Sequence, residues 1–218
     1  RTGHSSLIQA LALSDRLIVT TQPLKETYAP YIRDIHIIPN MLNADWFGLQ
    51  AEAHKPRQKP RIGWVGAGQH RGDLLKIVDL VKSTRHLYTW VFMGMMIDEL
   101  KPHIDEFHPY VSFAQYPQAV ANLDLDVAIA PLADNPFNRC KSHLRLLEYG
   151  AMGWAVVASD VYPYANAGSA AIVVKDDQWI EAIEQAVQQR QALGTAMKTW
   201  CEQGFRLSEH CDMYLSAL

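Results

Sequence analysis

Cysteine is scarce: Cys140, Cys201 and Cys211 are the only three, and they have no paired spacing. An odd count without a secretory leader excludes a disulfide framework and points to a reducing compartment. Cys140 reads as a small buried thiol rather than a reactive one, and Cys201, His210 and Cys211 fit no four-ligand zinc set. No apolar run approaches the roughly 20 residues that a bilayer-spanning helix needs. There is no internal repeat, low-complexity tract or heptad run. Basic charge is not in excess: 20 Lys and Arg against 23 Asp and Glu leave a net charge of −3, which argues against a surface for nucleic acid polymers. The opening Arg-Thr-Gly-His lacks an initiator methionine and a signal-peptide pattern, so the expectation is a fragment of a longer protein. A chain of 218 residues suffices for one ordinary core, with the first fifty reading as the remnant of another domain.

What is present is an alternation of strands and helices. Helices are predicted over Ser6–Leu13, Pro23–Tyr31, Asp73–Thr84, Ile97–Glu106 and Pro117–Leu123. Strands are predicted over Arg16–Thr20, Ile35–Ile38, Arg61–Val65, Tyr88–Met93, Val111–Phe113, Val127–Leu132, Ala155–Ser159 and Ala171–Val174. Trp179, Ile180, Ile183, Ala186 and Val187 mark a helical core face, and the remainder to Leu218 reads as helical, with room for a helix that crosses back. The polar stretch 43–60 reads as crossover and linker. Such alternation means an α/β fold, a Rossmann-like parallel sheet with helices on both faces. The division expected is 1–42 for the end of an N-terminal domain, 43–60 for the linker and 61–218 for a C-terminal domain.

The chemistry concentrates between Ala128 and Pro163. A buried strand runs into the polar loop Asp134–Cys140, a helix from Lys141 or Ser142 to about Met152 ends at Gly153, and a second buried strand follows. In open parallel sheets a ligand lies outside the carboxyl ends of the strands, where that loop falls. Unpaired N–H groups at the helix start suit a phosphate, and Lys141 and Ser142 would add an ammonium and a hydroxyl. Glu148, more than a turn farther on, can accept hydrogen bonds from the vicinal hydroxyls of a ribose. A cation at the phosphates and an anion at the ribose make a nucleotide pattern; the plainer alternative is a helix cap with a solvated Lys-Ser.

Two other signals are set aside. Gly66-x-Gly68 is no nicotinamide fingerprint, because Arg71 occupies the third glycine position and the strand ending at Gly94 carries no acid for a ribose. Asp124-Leu125-Asp126 precedes a strand instead of following one, and reads as loop polarity rather than as metal ligands.

The run LEYGAMGWAVVASD resembles the C-terminal, nucleotide-sugar-binding half of GT-B glycosyltransferases, in particular the large retaining group (group 1, family 4-like) that includes sucrose synthase and bacterial mannosyl- and glucosyltransferases. Members carry a Glu, seven residues and a second Glu before Ala-Met-x-x-Gly-x-Pro-Val-Val-x-Ser. Glu148 takes the place of the second Glu, and Cys140 stands where the first, which contacts the donor sugar, would be. A bacterial subgroup with Pro-Leu-x-Asp-x-Pro-Phe-Asn, then Lys-Ser and Leu-Glu-Tyr, is similar in this respect. KPRIGWVGAGQHRG is similar to the family's first C-domain strand and glycine turn, with Ala67 in place of an Arg and Arg71-Gly72 matching a Lys-Gly. SDRLIVTTQPLKETY and IHIIPNMLNADWF resemble the end of the N-terminal domain.

The resemblance implies transfer of a sugar from a nucleoside-diphosphate sugar, with retention, without metal and without a further cofactor. Lys141 and Arg71 would stabilise the leaving diphosphate. Glu148, Ser142, Gly66, Gly68, Asn138 and Tyr116 would hold the donor nucleotide, Tyr116 against the base unless it is mere edge packing. His70 reads as a solvated loop histidine, with a ligand contact as the less favoured alternative. Acceptor binding would belong to a missing N-terminal domain, and the whole protein would be cytoplasmic or peripheral to a membrane, in polysaccharide biosynthesis. Two alternatives stay open: a non-catalytic scaffold module of the same fold, and a nucleotide-sugar epimerase.

Overall fold

In the computed structural model of the chain, residues 2–51 and 58–217 are described. The centre is a six-stranded, all-parallel sheet of β3 (Arg61–Gly66), β4 (Thr89–Gly94), β5 (Glu106–His108), β6 (Val127–Ala130), β7 (Ala155–Ser159) and β8 (Ile172–Val174). Their spatial order is β5-β4-β3-β6-β7-β8. The chain builds outward from β3 to β5, returns to lay β6 against the free side of β3, and builds the other way. That reversal is the topological switch point of a doubly wound fold, the place where such sheets bind ligands.

The strands form because their residues are apolar on both sides, as a doubly covered sheet requires. β3, β6 and β7 are buried throughout. Alternation divides the core: Ile62, Trp64, Ala155 and Val157 join one apolar cluster with Ile77 and Ile183, while Val65, Val156 and Ala158 join the other with Leu146, Leu147 and Met197. Leu146 and Leu147 lie on α7 (Leu144–Ala151), Ile183 on α9 (Trp179–Gln188) and Met197 on α10 (Arg190–Gly204), while Ile77 sits in the turn just before the helix that starts at Val78. α7 ends at Gly153, whose φ of +71° is the left-handed terminator expected from the sequence.

Before the sheet, α1 (Thr2–Ala12) leads to β1 (Leu17–Val19), α2 (Gln22–Tyr28) and β2 (Ile35–Ile37). β1 and β2 pair in parallel as a separate sheet over a small cluster containing Leu11, Val19, Ile32 and Ile35. The end of the chain returns to this segment. Leu42 N–H donates to Phe205 O and Leu207 N–H to Leu42 O, both at 2.9 Å. Arg16 donates to Ala217 O at 2.6 Å in α11 (Cys211–Ala217). Of the stretch 43–60, residues 52–57 lie outside the described residues; ahead of them Trp46 is buried and meets Tyr116 edge-on at 5.5 Å.

Several boundaries differ from the sequence reading. Asp73–Thr84 is two short helices, α3 (Arg71–Leu75) and α4 (Val78–Thr84). Ile97–Glu106 is no α-helix: Pro102 cannot donate to a helical ladder, and a 3₁₀ turn over Lys101–His103 replaces it. The short strand lies at Glu106–His108, not Val111–Phe113, because the Arg61 guanidinium holds Glu106 at 2.6 and 2.8 Å and fixes it opposite Val91. The loop Asp134–Cys140 contains α6 (Pro136–Arg139), with Asn135 accepting from Asn138 N–H as its N-cap. Asp160–Gly168 contains α8 (Tyr162–Ala165). The predicted helix Pro117–Leu123 is α5 (Tyr116–Ala121). α7 starts at Leu144 after an N-cap at His143, so Lys141 and Ser142 precede the helix.

At the switch point β3 and β6 pair only through Ile62↔Val127 and Gly63↔Ala128, then part. The Tyr149 hydroxyl fills the fork, accepting from Val65 N–H at 3.0 Å and donating to Ile129 O at 3.4 Å. Burial pushes its pKa up to about 12. Tyr149→Phe would orphan two buried backbone groups at about 1–3 kcal/mol. Thermal unfolding followed by circular dichroism should show a Tm lower by roughly 2–12 °C; an unchanged Tm would contradict this role.

Candidate functional site at the sheet switch point

β3 and β4 both end in glycine, and Gly66 and Gly94 lie opposite one another. Gly94 has φ +93°, and a Cβ on it would fall 2.4 Å from Gly66 O. The two glycines let the strand ends close beneath a cavity of about 280 Å³. It is lined by the strand-end residues Gly66, Ala67 and Gly94 and by Tyr110, Val111, Tyr116 and Arg145. Its surroundings are otherwise apolar, as in ordinary ligand pockets, and Arg145 is the only charged residue that lines it among the described residues.

Behind the cavity sits a buried polar cluster. Glu148 is 8% exposed. It accepts from the Tyr116 hydroxyl at 3.3 Å, and Arg145 Nε lies 4.0 Å away. Burial raises the Glu148 pKa, with Arg145 and Tyr116 working in the other direction. Burial also opposes the Arg145 charge, but Tyr149, Glu148, Tyr116 and Tyr164 outweigh it, so the guanidinium stays charged. Its plane lies 5.8 Å from the Trp64 ring and 5.9 Å from that of Tyr149, within cation–π range. Burial raises the Tyr116 and Tyr164 hydroxyls well above their usual range, so both phenols stay neutral.

A second cluster ties the loop after β3 to the loop after β6. Asp73, 3% exposed, accepts from Ala133 N–H at 2.7 Å and Asn138 Nδ2 at 3.1 Å. Its other oxygen is 2.7 Å from His70 Nδ1 and 3.9 Å from Lys141 Nζ. Burial resists ionisation of Asp73, but the His70 hydrogen bond, the Ala133 N–H and the Lys141 charge outweigh it and hold the carboxyl below its ordinary value. Lys141 Nζ is buried without a hydrogen-bond partner among the described residues, 5.2 Å from the Phe137 ring centre. Burial lowers its pKa, and Arg145 adds to the fall against the pull of Asp73. Lys141 also lines a cavity of about 500 Å³ shared with Leu24, Thr27, Tyr28, Phe137 and Cys140.

The fold therefore brings Tyr116 and Gly66 to the cavity, with Glu148 buried beside it on the Tyr116 hydroxyl, and Lys141, Asn138 and Ser142 to the neighbouring loop. The Ser142 hydroxyl accepts from Asn40 Nδ2 at 2.7 Å, which joins the opening segment to the site. Arg71 stands apart: it is exposed and holds Glu99 at 2.7 and 3.1 Å, and that hydrogen bond keeps the Glu99 carboxyl at about 2. Gly68 is exposed, with nothing within 4 Å of the position of a Cβ. His70 is not solvated as expected from the sequence, because Asp73 holds it. Cys140 is only half-buried, and its Sγ lies 3.8 Å from Thr27 Oγ1. The Asp124-Leu125-Asp126 run is structural: Asp126 accepts from Arg61 N–H at 2.8 Å and meets Arg190 at 3.3 Å.

Sequence reasoning missed Arg145, Asp73 and Tyr149. One signal was available for Arg145, a cation three residues before Glu148 and therefore on the same face of the predicted helix.

Neither a protein-family model nor a curated protein matches the sequence. Solved structures do. A sucrose-phosphate synthase from Thermosynechococcus elongatus is similar with TM-score 0.69 and 17% identity, over 96% of this chain and 60% of that one. A UDP-forming α,α-trehalose-phosphate synthase from Burkholderia xenovorans gives TM-score 0.70 at 15% identity, over 98% and 63%. TarM gives 0.66 at 12%, over 100% and 46%. The chain thus spans between about half and two thirds of the length of these structures. Among the described residues no helix is long and apolar enough to cross a membrane. With the strand order, the switch-point cavity and these likenesses in hand, the chain has the Rossmann-like fold of the C-terminal domain of GT-B glycosyltransferases.

Proposed function

We propose that this chain is the donor-binding part of a glycosyltransferase that uses a nucleoside-diphosphate sugar. The observation that carries the reading is the cavity over the carboxyl ends of β3 and β4, backed by the buried Glu148 at the switch point. Phosphates would lie toward the start of α7 and Lys141, with the ribose farther along toward Glu148 and the base against Gly94 and Tyr110. In transfer, an acceptor hydroxyl oxygen bonds to the anomeric carbon on the face from which the diphosphate departs, as the bond from that carbon to the diphosphate breaks. The electron pair goes to the diphosphate, and the acceptor proton goes to a base supplied with the acceptor. Fixed cations would offset the charge that builds on the diphosphate, without metal, while Glu148 would act by orientation. The reading includes retention at the anomeric carbon, and acceptor binding by a further domain. UDP is the first nucleotide to test, since one similar structure is of a UDP-forming enzyme and another, of a TarM variant, contains UDP.

Calorimetric titration with UDP, GDP, ADP and TDP tests the reading. Selective binding to one of them is expected, weakened at least about tenfold in Glu148→Ala, the value of one lost charge-assisted hydrogen bond. A folded chain that binds none would favour a scaffold module of the same fold.

A further inference from the structure

We infer that Arg145, rather than a residue of the loop after β3, is the cation that holds the diphosphate at the switch-point cavity. This assignment rests on the nucleotide reading of that cavity.

The loop after β3 places Ala67 at the cavity, where a side chain could reach a phosphate but carries no charge. The nearest cation in that loop, Arg71, is exposed and engaged in two hydrogen bonds with Glu99. Arg145, from α7, lines the same cavity. Its Nη1 is buried and has no hydrogen-bond partner among the described residues. Glu148, its nearest carboxylate, stands at 4.0 Å, too far for a hydrogen bond. A guanidinium presents five donors in a fork that matches phosphate oxygens, and here at least one faces no acceptor. A buried charge is retained at a cost of several kcal/mol unless it is both paired and hydrogen-bonded.

Position adds a second reason. Arg145 is the second residue of an eight-residue helix whose N-cap is His143. The dipole of that helix is positive at this end, where a cation is unfavourable and an anion favourable. Neutral phenols and the Trp64 ring surround the guanidinium without cancelling its charge. Lys141 differs in its partner: the Asp73 carboxyl 3.9 Å away is held below its ordinary value, whereas burial works against ionisation of Glu148, 4.0 Å from Arg145. The built site is therefore a guanidinium with a donor to spare at the positive end of a helix, lining an apolar cavity, and its complement is an oxyanion attached to a flat apolar group.

Titration of wild type, Arg145→Lys and Arg145→Met with the tightest binder among UDP, GDP, ADP and TDP, and with the matching nucleoside, tests the assignment. In Arg145→Met the diphosphate should lose at least about tenfold in affinity and the nucleoside less than about twofold; Arg145→Lys should recover part of the loss. Arg145→Met/Glu148→Gln, read against Glu148→Gln, covers the case in which the single variant does not fold, because it removes both charges of the pair, and relative to Glu148→Gln it should show the same loss for the diphosphate and not for the nucleoside. Equal losses for nucleoside and diphosphate would make Arg145 a structural partner of Glu148 and overturn the assignment. Undiminished diphosphate binding in folded Arg145→Met would overturn it alone, whereas a wild type that binds no nucleotide would remove the donor-site reading and this assignment together.

Discussion

Alanine at Asp73 is expected to cost about 3–5 kcal/mol of folding stability, the range seen when one partner of a buried charged network is removed. The loss would orphan Ala133 N–H and Asn138 Nδ2, and leave Lys141 and His70 without their carboxylate. Each is buried or nearly so, and the two loops that flank the switch point would lose their common anchor. The pH dependence gives a sharper test. Because the folded Asp73 carboxyl is held below its ordinary 3.8, its contribution is fully present above that value and is lost as pH falls through the lower, folded value. Denaturant unfolding of wild type and Asp73→Ala should therefore differ most at neutral pH and converge in acid. A gap that persists unchanged below pH 3 would show that Asp73 acts through packing alone.

Alanine at Gly94 should be about as damaging, by about 2–5 kcal/mol, and for a different reason. The residue sits at φ +93°, where a side chain costs about 1–2 kcal/mol. Its Cβ would fall 2.4 Å from a backbone oxygen of β3, which cannot swing aside, so overpacking adds about 1–3 kcal/mol. Gly68→Ala provides the contrast: nothing lies within 4 Å of its Cβ, and its stability should change by less than about 0.5 kcal/mol. Parallel denaturant titrations distinguish the two glycines. Equal stability of Gly94→Ala and wild type would mean that the strand ends beneath the cavity are not built as described.

Much of this arrangement was legible because it depends on local residue type. The strand Ala155–Ser159 falls where its continuous apolar run placed it, and Gly153 ends α7 because the left-handed turn there favours glycine. The strand at Glu106–His108 was not legible. Its residues lack a strand pattern, and pairing with β4 together with the Arg61 ion pair selects them over the more apolar Val111–Phe113. Ile97, Leu100 and Ile104 have helical spacing, yet Pro102 leaves only a 3₁₀ turn while Ile97 and Leu100 still reach the core.

The site was half legible for the same reason. Glu148 stood out because its place in a sequence pattern implied a role. Asp73 looked like an ordinary acidic residue near a helix start, since its partners Ala133, Asn138 and Lys141 are 60 or more residues away. The Tyr149 hydroxyl acquires its function only when β3 and β6 diverge.

The central claim is that a nucleotide occupies the cavity at the ends of β3 and β4, and a crystal structure of the chain with the tightest-binding nucleoside diphosphate tests it most directly. The account predicts the base against Gly94 and Tyr110, the ribose toward Glu148, and phosphate oxygens within hydrogen-bond distance of Arg145. A nucleotide seated instead between Tyr28 and Phe137, or elsewhere on the surface with Arg145 untouched, would contradict it.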